Sequence, residues 1–179
     1  MSNQLQAFSQ FQMGWQYQNT QAGFSDTGNQ SQITKKIEYT TGTGADQADA
    51  VFAELGTLAP SEITTFDLTS VTDLLNQSIS FTKVKSVMLW CLKPSDNDLG
   101  TTASSIQLGG AAANPALEGA TGFWSAGATQ RVWNGGFTSA GRPDAAGAPI
   151  SGSAKNLKLV NNDSVLPAAY YLVIIGSNT

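Results

Sequence analysis

From Val84 to Leu92 the chain reads Val84-Lys85-Ser86-Val87-Met88-Leu89-Trp90-Cys91-Leu92, and its last six residues are apolar without alternation. A second run of this kind, Ala169-Tyr170-Tyr171-Leu172-Val173-Ile174-Ile175, lies near the C-terminus. Continuous apolar runs of strand length read as strands buried on both faces. Ala154–Val160 differs, setting Leu157 and Leu159 against Asn156 and Lys158, the period-two pattern of a half-exposed strand. Working outward, Ile33–Thr40, Ala50–Leu55, Glu62–Leu68, Ser105–Leu108 and Thr129–Trp133 are further strand-length runs. Turn-forming clusters separate them: Thr41-Gly42-Thr43-Gly44, Pro94 to Gly100, Gly109-Gly110, Gly135-Gly136, Gly141 to Gly147 and Asn161-Asn162-Asp163. Only Val71–Gln77 suits a helical turn or two. About eight strands with long Gly- and Ala-rich connections predict an all-β, jelly-roll-like two-sheet sandwich over residues 33–179. No fixed-period repeat points to a propeller or solenoid.

Residues 1–32 differ from this domain. They contain nine glutamines and a single charged residue, Asp26. Leu5, Ala7, Phe11, Met13, Trp15 and Tyr17 share one parity, and Gln4, Gln6, Gln10, Gln12, Gln16 and Gln18 share the other, interrupted by Phe8 and Gly14. Period two means an extended segment with an apolar face and an amide face. Such a strand is an aggregation hazard unless something covers it. The cover is either a neighbouring chain, which makes residues 1–32 an assembly arm, or the chain's own sandwich, which makes the segment its first strand. Gly23 to Gln32 reads as a linker.

Composition narrows the function classes. Only 12% of residues are charged, about half the usual share, so a surface buried against a neighbour loses little ion hydration. Net charge is −4 and the basic residues are scattered, whereas phosphate backbones demand clustered cations, so direct nucleic-acid binding is not expected. No apolar stretch has the length of a membrane span and no secretory leader pattern is visible, so neither membrane insertion nor export by a cleaved signal is expected. There is no histidine, which removes His-based triads, metal sites and general bases; the single Cys91 sits in an apolar run and reads as a small core residue. No nucleophile elbow or Walker sequence occurs. Most acidic residues adjoin turn residues, where they bond their own backbone, so a paired-carboxylate hydrolase is not expected either. Asp96-Asn97-Asp98-Leu99-Gly100 has the oxygen spacing of some calcium loops but lacks a downstream glutamate, and reads as a surface turn. The expectation is a non-enzymatic protein without metal or cofactor. Phe123, Trp124 and Trp133 lie near Gly-rich loops and are the candidate aromatic platform for a glycan; burial is favoured over exposure for them, and Trp90 is placed in the core.

Several stretches together resemble phage and prophage virion proteins. They are Tyr39-Thr40-Thr41-Gly42-Thr43-Gly44-Ala45-Asp46-Gln47-Ala48-Asp49, Phe66-Asp67-Leu68-Thr69-Ser70, Ile79-Ser80-Phe81-Thr82-Lys83-Val84-Lys85, Leu108-Gly109-Gly110-Ala111-Ala112-Ala113-Asn114-Pro115, and Asn156-Leu157-Lys158-Leu159-Val160-Asn161-Asn162 leading to Tyr171-Leu172-Val173-Ile174-Ile175-Gly176. The resemblance is one of strand-and-turn order across about three quarters of the chain, and residues 1–32 lie outside it. It implies a small β-sandwich structural component of a bacteriophage virion, belonging either to the head or to the tail. An acidic chain without a basic lining fits the outer capsid surface better than a shell facing genome. The expected role is therefore a capsid decoration (cement) or minor capsid protein, a homo-oligomer whose partners are other virion proteins, above all the major capsid protein. Leu5, Phe8, Phe11, Met13, Trp15 and Tyr17 are its expected assembly contacts. A tail or spike component binding a host receptor or glycan is the other expectation.

Overall fold

A computed structural model of the chain describes residues 7–19, 27–72, 76–93, 105–110, 113–142, 144 and 146–178. Leu5, the Asp96–Gly100 turn and the centre of Val71–Gln77 lie outside the described residues. Among those described there is no helix, and hence none long and apolar enough to cross a membrane.

Eight strands form the sandwich. In chain order these are β4 (Ala50–Leu58), β5 (Ile63–Asp67), β8 (Lys83–Cys91), β9 (Ser105–Gly109), β10 (Thr129–Trp133), β11 (Phe137–Gly141), β13 (Asn156–Asn161) and β14 (Ala168–Ser177). One sheet runs β11-β8-β14-β4 and the other β10-β9-β13-β5. Ranked by position among the eight, the first sheet is therefore sixth, third, eighth, first, and the second is fifth, fourth, seventh, second. All the pairs within these sheets are antiparallel, and this order is that of a jelly roll, two Greek keys folded face to face. Short strands complete it: β3 (Gln47–Ala48) leads into β4, β6 (Val71–Thr72) pairs with β7 (Ser78–Ile79), and β12 (Ala148–Pro149) adds to the start of β8. Val71–Gln77 thus begins as strand, not as the helical turn its composition suited.

One core fills the space between the sheets. Val87, Leu89 and Cys91 of β8, with Tyr170, Leu172 and Ile174 of β14, meet Ile106 and Leu108 of β9, Leu157 and Leu159 of β13 and Val132 of β10. Strand periodicity assigns alternate residues to opposite faces, so Met88 and Trp90 of β8 point away from this core. The expectation that Trp90 is a core residue is corrected: its side chain stands on the outer face, 38% exposed. An unbroken apolar run conceals which parity faces inward.

At its start β8 is bulged against β14. Ile175 pairs with Ser86 but Gly176 with Val84, so Lys85 is the extra residue. Gly176 is required there, because a Cβ would lie 2.2 Å from the Lys83 carbonyl oxygen. The bulge carries Lys85 into a fully buried position, where its ammonium donates to the carbonyls of Gly44 and Asp144. Burial pushes its pKa down. Lys85 thereby fastens the backbone at Gly44 and at Asp144 to the sheet.

The remaining strands, β1 (Ala7–Asn19) and β2 (Thr27–Thr41), form a long antiparallel ribbon, and β3 pairs in parallel with the end of β2. The ribbon belongs to neither sandwich sheet. Two expectations are corrected by it. Thr27–Gln32, read as linker, is strand paired with Gly14–Asn19, and Ile33–Thr40, read as a strand of the sandwich, continues that same ribbon strand. The division between residues 32 and 33 therefore falls inside β2. Its place in the sandwich is taken by β11, which was not anticipated.

Candidate assembly interface

The ribbon pairs residue for residue from Ala7 with Tyr39 to Asn19 with Thr27, without a bulge or register shift. At about 3.4 Å per residue its thirteen-residue strand β1 extends for roughly 40 Å. On one side β1 is bonded to β2; among the described residues no strand pairs with its other edge. Between Ala7 and Asn19 there is no charged residue, no proline and no bulge, three of the devices that ordinarily stop an edge strand from accepting another chain.

The base of the ribbon is tied to the sandwich. Tyr39, Ala48 and Ile175 form a second, smaller apolar cluster on the outer face of the β11-β8-β14-β4 sheet, with Ala7, Ile37, Val51 and Val173 packed around it. Tyr39 is the largest of these side chains and is almost wholly buried. Its hydroxyl lies toward Ser86 without reaching hydrogen-bonding geometry, and burial raises its pKa. Ala7, Ile37 and Tyr39 all have odd numbers, and the register pairs odd residues with odd. Phe11, Met13, Trp15 and Tyr17 occupy the same parity of β1, whereas Phe8, opposite Glu38, occupies the other. The parity of the ribbon that meets its own sheet at the base is thus the aromatic parity of the strand beyond it.

The outer face has a second apolar region away from this cluster. Phe137 pairs with Trp90, Trp90 with Tyr171, and Tyr171 with Leu55, so four large apolar residues line up across β11, β8, β14 and β4. Leu55 is 70% and Phe137 56% exposed. Leu55 and Phe137 carry no signal in the sequence, because they are isolated apolar residues whose alignment with Trp90 and Tyr171 exists only once the strands pair.

The aromatic platform divides. Phe123 and Trp124 form an edge-to-face pair with centroids 5.9 Å apart, and both rest against the core. They line an open depression of about 500 Å³ with Gly119, Ala120, Gly122, Ser125 and Ala126. The Trp124 Nε1 is turned inward beside Gly109 and has no hydrogen-bond partner. Trp133 instead stands on the outside of β10, 60% exposed, with the Arg131 guanidinium 5.6 Å from its ring centroid. The burial expected of all three holds in part for Phe123 and Trp124 and fails for Trp133.

Six of the described carboxylates are engaged in holding loops, while Glu38 pairs with Lys36 and Glu54 accepts from the Tyr170 hydroxyl. Glu118 accepts from the Gly110 and Gly127 amides, Glu62 from the Ala59 amide, Asp163 from the Val165 and Leu166 amides, and Asp49 from the Asn178 amide. Asp144 accepts from the Gly147 amide and pairs with Arg142, while Asp67 joins Thr69 and Lys155. Hydrogen bonds from Lys155 and Thr69 bring the Asp67 carboxyl down to about 2. Among the described residues no three His, Cys, Asp or Glu side chains cluster as metal ligands would. Cys91 is buried in the core, and burial pushes its thiol up to about 11.

The fold thus defines the class as a jelly-roll sandwich with an added N-terminal ribbon. No family model, no curated protein and no solved structure matches the chain.

Proposed function

We propose that this protein is a non-enzymatic structural subunit that assembles through its β1–β2 ribbon, and that the assembly is a bacteriophage virion in which it serves as a capsid decoration or minor capsid protein. The observation that carries the assembly reading is the open, charge-free edge of β1. A strand added there gains main-chain hydrogen bonds along its length and buries alternate side chains at the same time. The virion setting rests on the resemblance in strand-and-turn order and on the jelly roll, a fold that capsid domains share with lectins and cupins. Since that fold hosts several functions, the ribbon rather than the sandwich carries the argument. The partners are like chains or the major capsid protein, on the outer surface of the particle.

The test replaces Gln12, Gln16 and Gln18 by lysine in the full-length chain. Charge along an edge discourages strand addition and leaves the sandwich untouched. Light scattering should find the parent chain oligomeric and the variant monomeric, with the same circular dichroism. If the two chains have the same mass at every concentration, assembly through this edge is refuted.

A second reading, a tail or spike component that binds a host receptor or glycan, is favoured by one observation, the exposed Trp133 with Arg131 over its ring. Aromatic faces of this kind stack on sugar rings. Glycan quenching of tryptophan fluorescence that disappears in Trp133→Ala supports it; a flat response across a glycan array removes it.

A further inference from the structure

The outer face of the β11-β8-β14-β4 sheet is covered at one end and bare at the other. At the covered end Ile175, with Val51 opposite it, lies under the ribbon residues Ala7, Ile37 and Tyr39. Four residues along each strand on the same parity, Tyr171 and Leu55 begin the row that continues through Trp90 to Phe137. At strand rise the two positions are about 13 Å apart. Leu55, Trp90 and Phe137 are exposed in the single chain, so the chain's own ribbon does not cover them.

We propose that this bare row receives the β1–β2 ribbon of a second copy of the chain. The proposal rests on the reading that the ribbon assembles and adds a second contact to it: strand addition engages the edge of β1, whereas this docking engages the aromatic parity of the ribbon and names the surface that accepts it. Three observations select this occupant. The row continues, on one face and one parity, a surface that the ribbon base already covers. The ribbon parity that makes that cover carries Phe11, Met13, Trp15 and Tyr17 farther out, a spacing of two residues that repeats apolar groups at about 7 Å along the strand. Neither the row nor β1 contains a charged residue, and the one charged residue on the docking parity of the ribbon is Lys35, opposite Phe11 on β2, so docking brings a single ion to the contact. An unlike partner would have to supply an apolar strand of its own, whereas both halves of this interface exist on one chain. Reciprocal docking, each copy giving its ribbon to the other, closes the pair about a two-fold axis.

The experiment mixes two full-length single variants, Trp15→Cys and Leu55→Cys, distinguishable by a mass tag, and treats them with a short bismaleimide. Cys91 does not compete, being buried with its thiol held at about 11. The expected product is a dimer linking the two different variants. It should be absent when Leu55→Cys is replaced by Thr65→Cys, exposed on β5 of the opposite sheet. In parallel, the double variant Leu55→Lys, Phe137→Lys should retain the parent circular dichroism and weaken self-association at least tenfold. Trp15→Cys linked only to itself, with Leu55→Cys left unlinked in an oligomeric sample, overturns the acceptor row and leaves assembly through the ribbon standing. A monomeric parent chain with no linked product overturns both.

Discussion

Replacing Tyr39 by alanine and by phenylalanine separates the docking of the ribbon from the stability of the sandwich. The Tyr39 ring is buried among Ala48, Ile175, Ala7, Ile37, Val51 and Val173, so alanine removes the largest group in that cluster. Truncating a buried aromatic to alanine costs about 3–5 kcal/mol, the lost transfer energy plus the cavity. Here the contacts join two units rather than two halves of one core, so the loss falls mainly on ribbon docking. A loss of about 3 kcal/mol is roughly a hundredfold in the docking equilibrium. Amide exchange in the part of β2 nearest Tyr39 should therefore quicken by about two orders of magnitude while the exchange of β8 and β14 stays slow. Phenylalanine should behave oppositely. The tyrosine hydroxyl is buried without a hydrogen-bond partner, so its removal relieves a desolvated polar atom and is neutral or stabilising. Hydrogen exchange read by mass spectrometry, with calorimetry of the same samples, measures both effects. The reasoning is refuted if Tyr39→Phe lowers stability by more than about 1 kcal/mol. It is equally refuted if Tyr39→Ala lowers the melting of the sandwich and leaves exchange in β2 unchanged.

Asn161 is buried and its amide nitrogen donates to the carbonyls of Ala59 and Leu166 at 2.9 and 2.8 Å, while its oxygen accepts from the Asp163 amide. Asn161→Ala should cost about 2–3 kcal/mol, and Asn161→Asp more at neutral pH, because a carboxylate oxygen would then face those carbonyls. That carboxyl is raised in the fold, so the extra penalty should be absent below about pH 4 and grow as pH rises; equal melting of the Asp variant at pH 3 and pH 7, relative to the parent, contradicts this. Asp67 is the reverse case. Its folded value of about 2 lies below the unfolded one, so its contribution is full above about pH 4 and is lost as pH falls through about 2. With its side chain 36% exposed, solvent screening reduces that contribution to roughly 0.5–1 kcal/mol, and Asp67→Asn should flatten the acid limb of denaturation by that amount. Cys91, with its thiol near 11 and no solvent access, should react with a disulfide reagent at pH 8 only as fast as the chain opens; rapid labelling of the native protein would place it elsewhere.

The class of the fold was legible because burial and strand period leave a mark in composition. Val84–Leu92 and Ala169–Ile175 became the central strands β8 and β14, and Leu157 and Leu159 of the alternating run face the core. The strands outnumber the expected eight, since β12 joins one sandwich sheet and the ribbon and short strands lie outside both, and the membership of the sheets differs as well. Ile33–Thr40 was read as a member and belongs to the ribbon, while Phe137–Gly141 was missed. The miss has a physical source. Phe-Thr-Ser-Ala-Gly has one large apolar residue and lies between glycine-rich turns, so local preference for a strand is weak; pairing with β8 makes it one. The exposed row on the outer face was illegible for a related reason, since cross-strand neighbours come from four distant segments. The alternation of residues 4–18 was visible from the start, but alternation specifies an extended strand and not its partner. Only the register shows that the partner is Thr27–Thr41 of the same chain.

The edges of the molecule argue for an assembled state more directly than its fold does. Four strands end the sandwich sheets, namely β4, β5, β10 and β11. Three of them are five residues long, and Asp67 in β5, Arg131 in β10 and Glu54 in β4 place charge on all but one. The exception, β11, is short and closes on Gly141. Brevity and charge are what keep an edge from recruiting another strand. In the same chain β1 runs for thirteen residues with neither. A general tolerance of open edges would have left the sandwich edges long and uncharged as well. The contrast within one sequence is the ground for proposing β1 as the edge that another chain completes; a two-stranded ribbon is marginal in water by itself, and a strand added along β1 would support it.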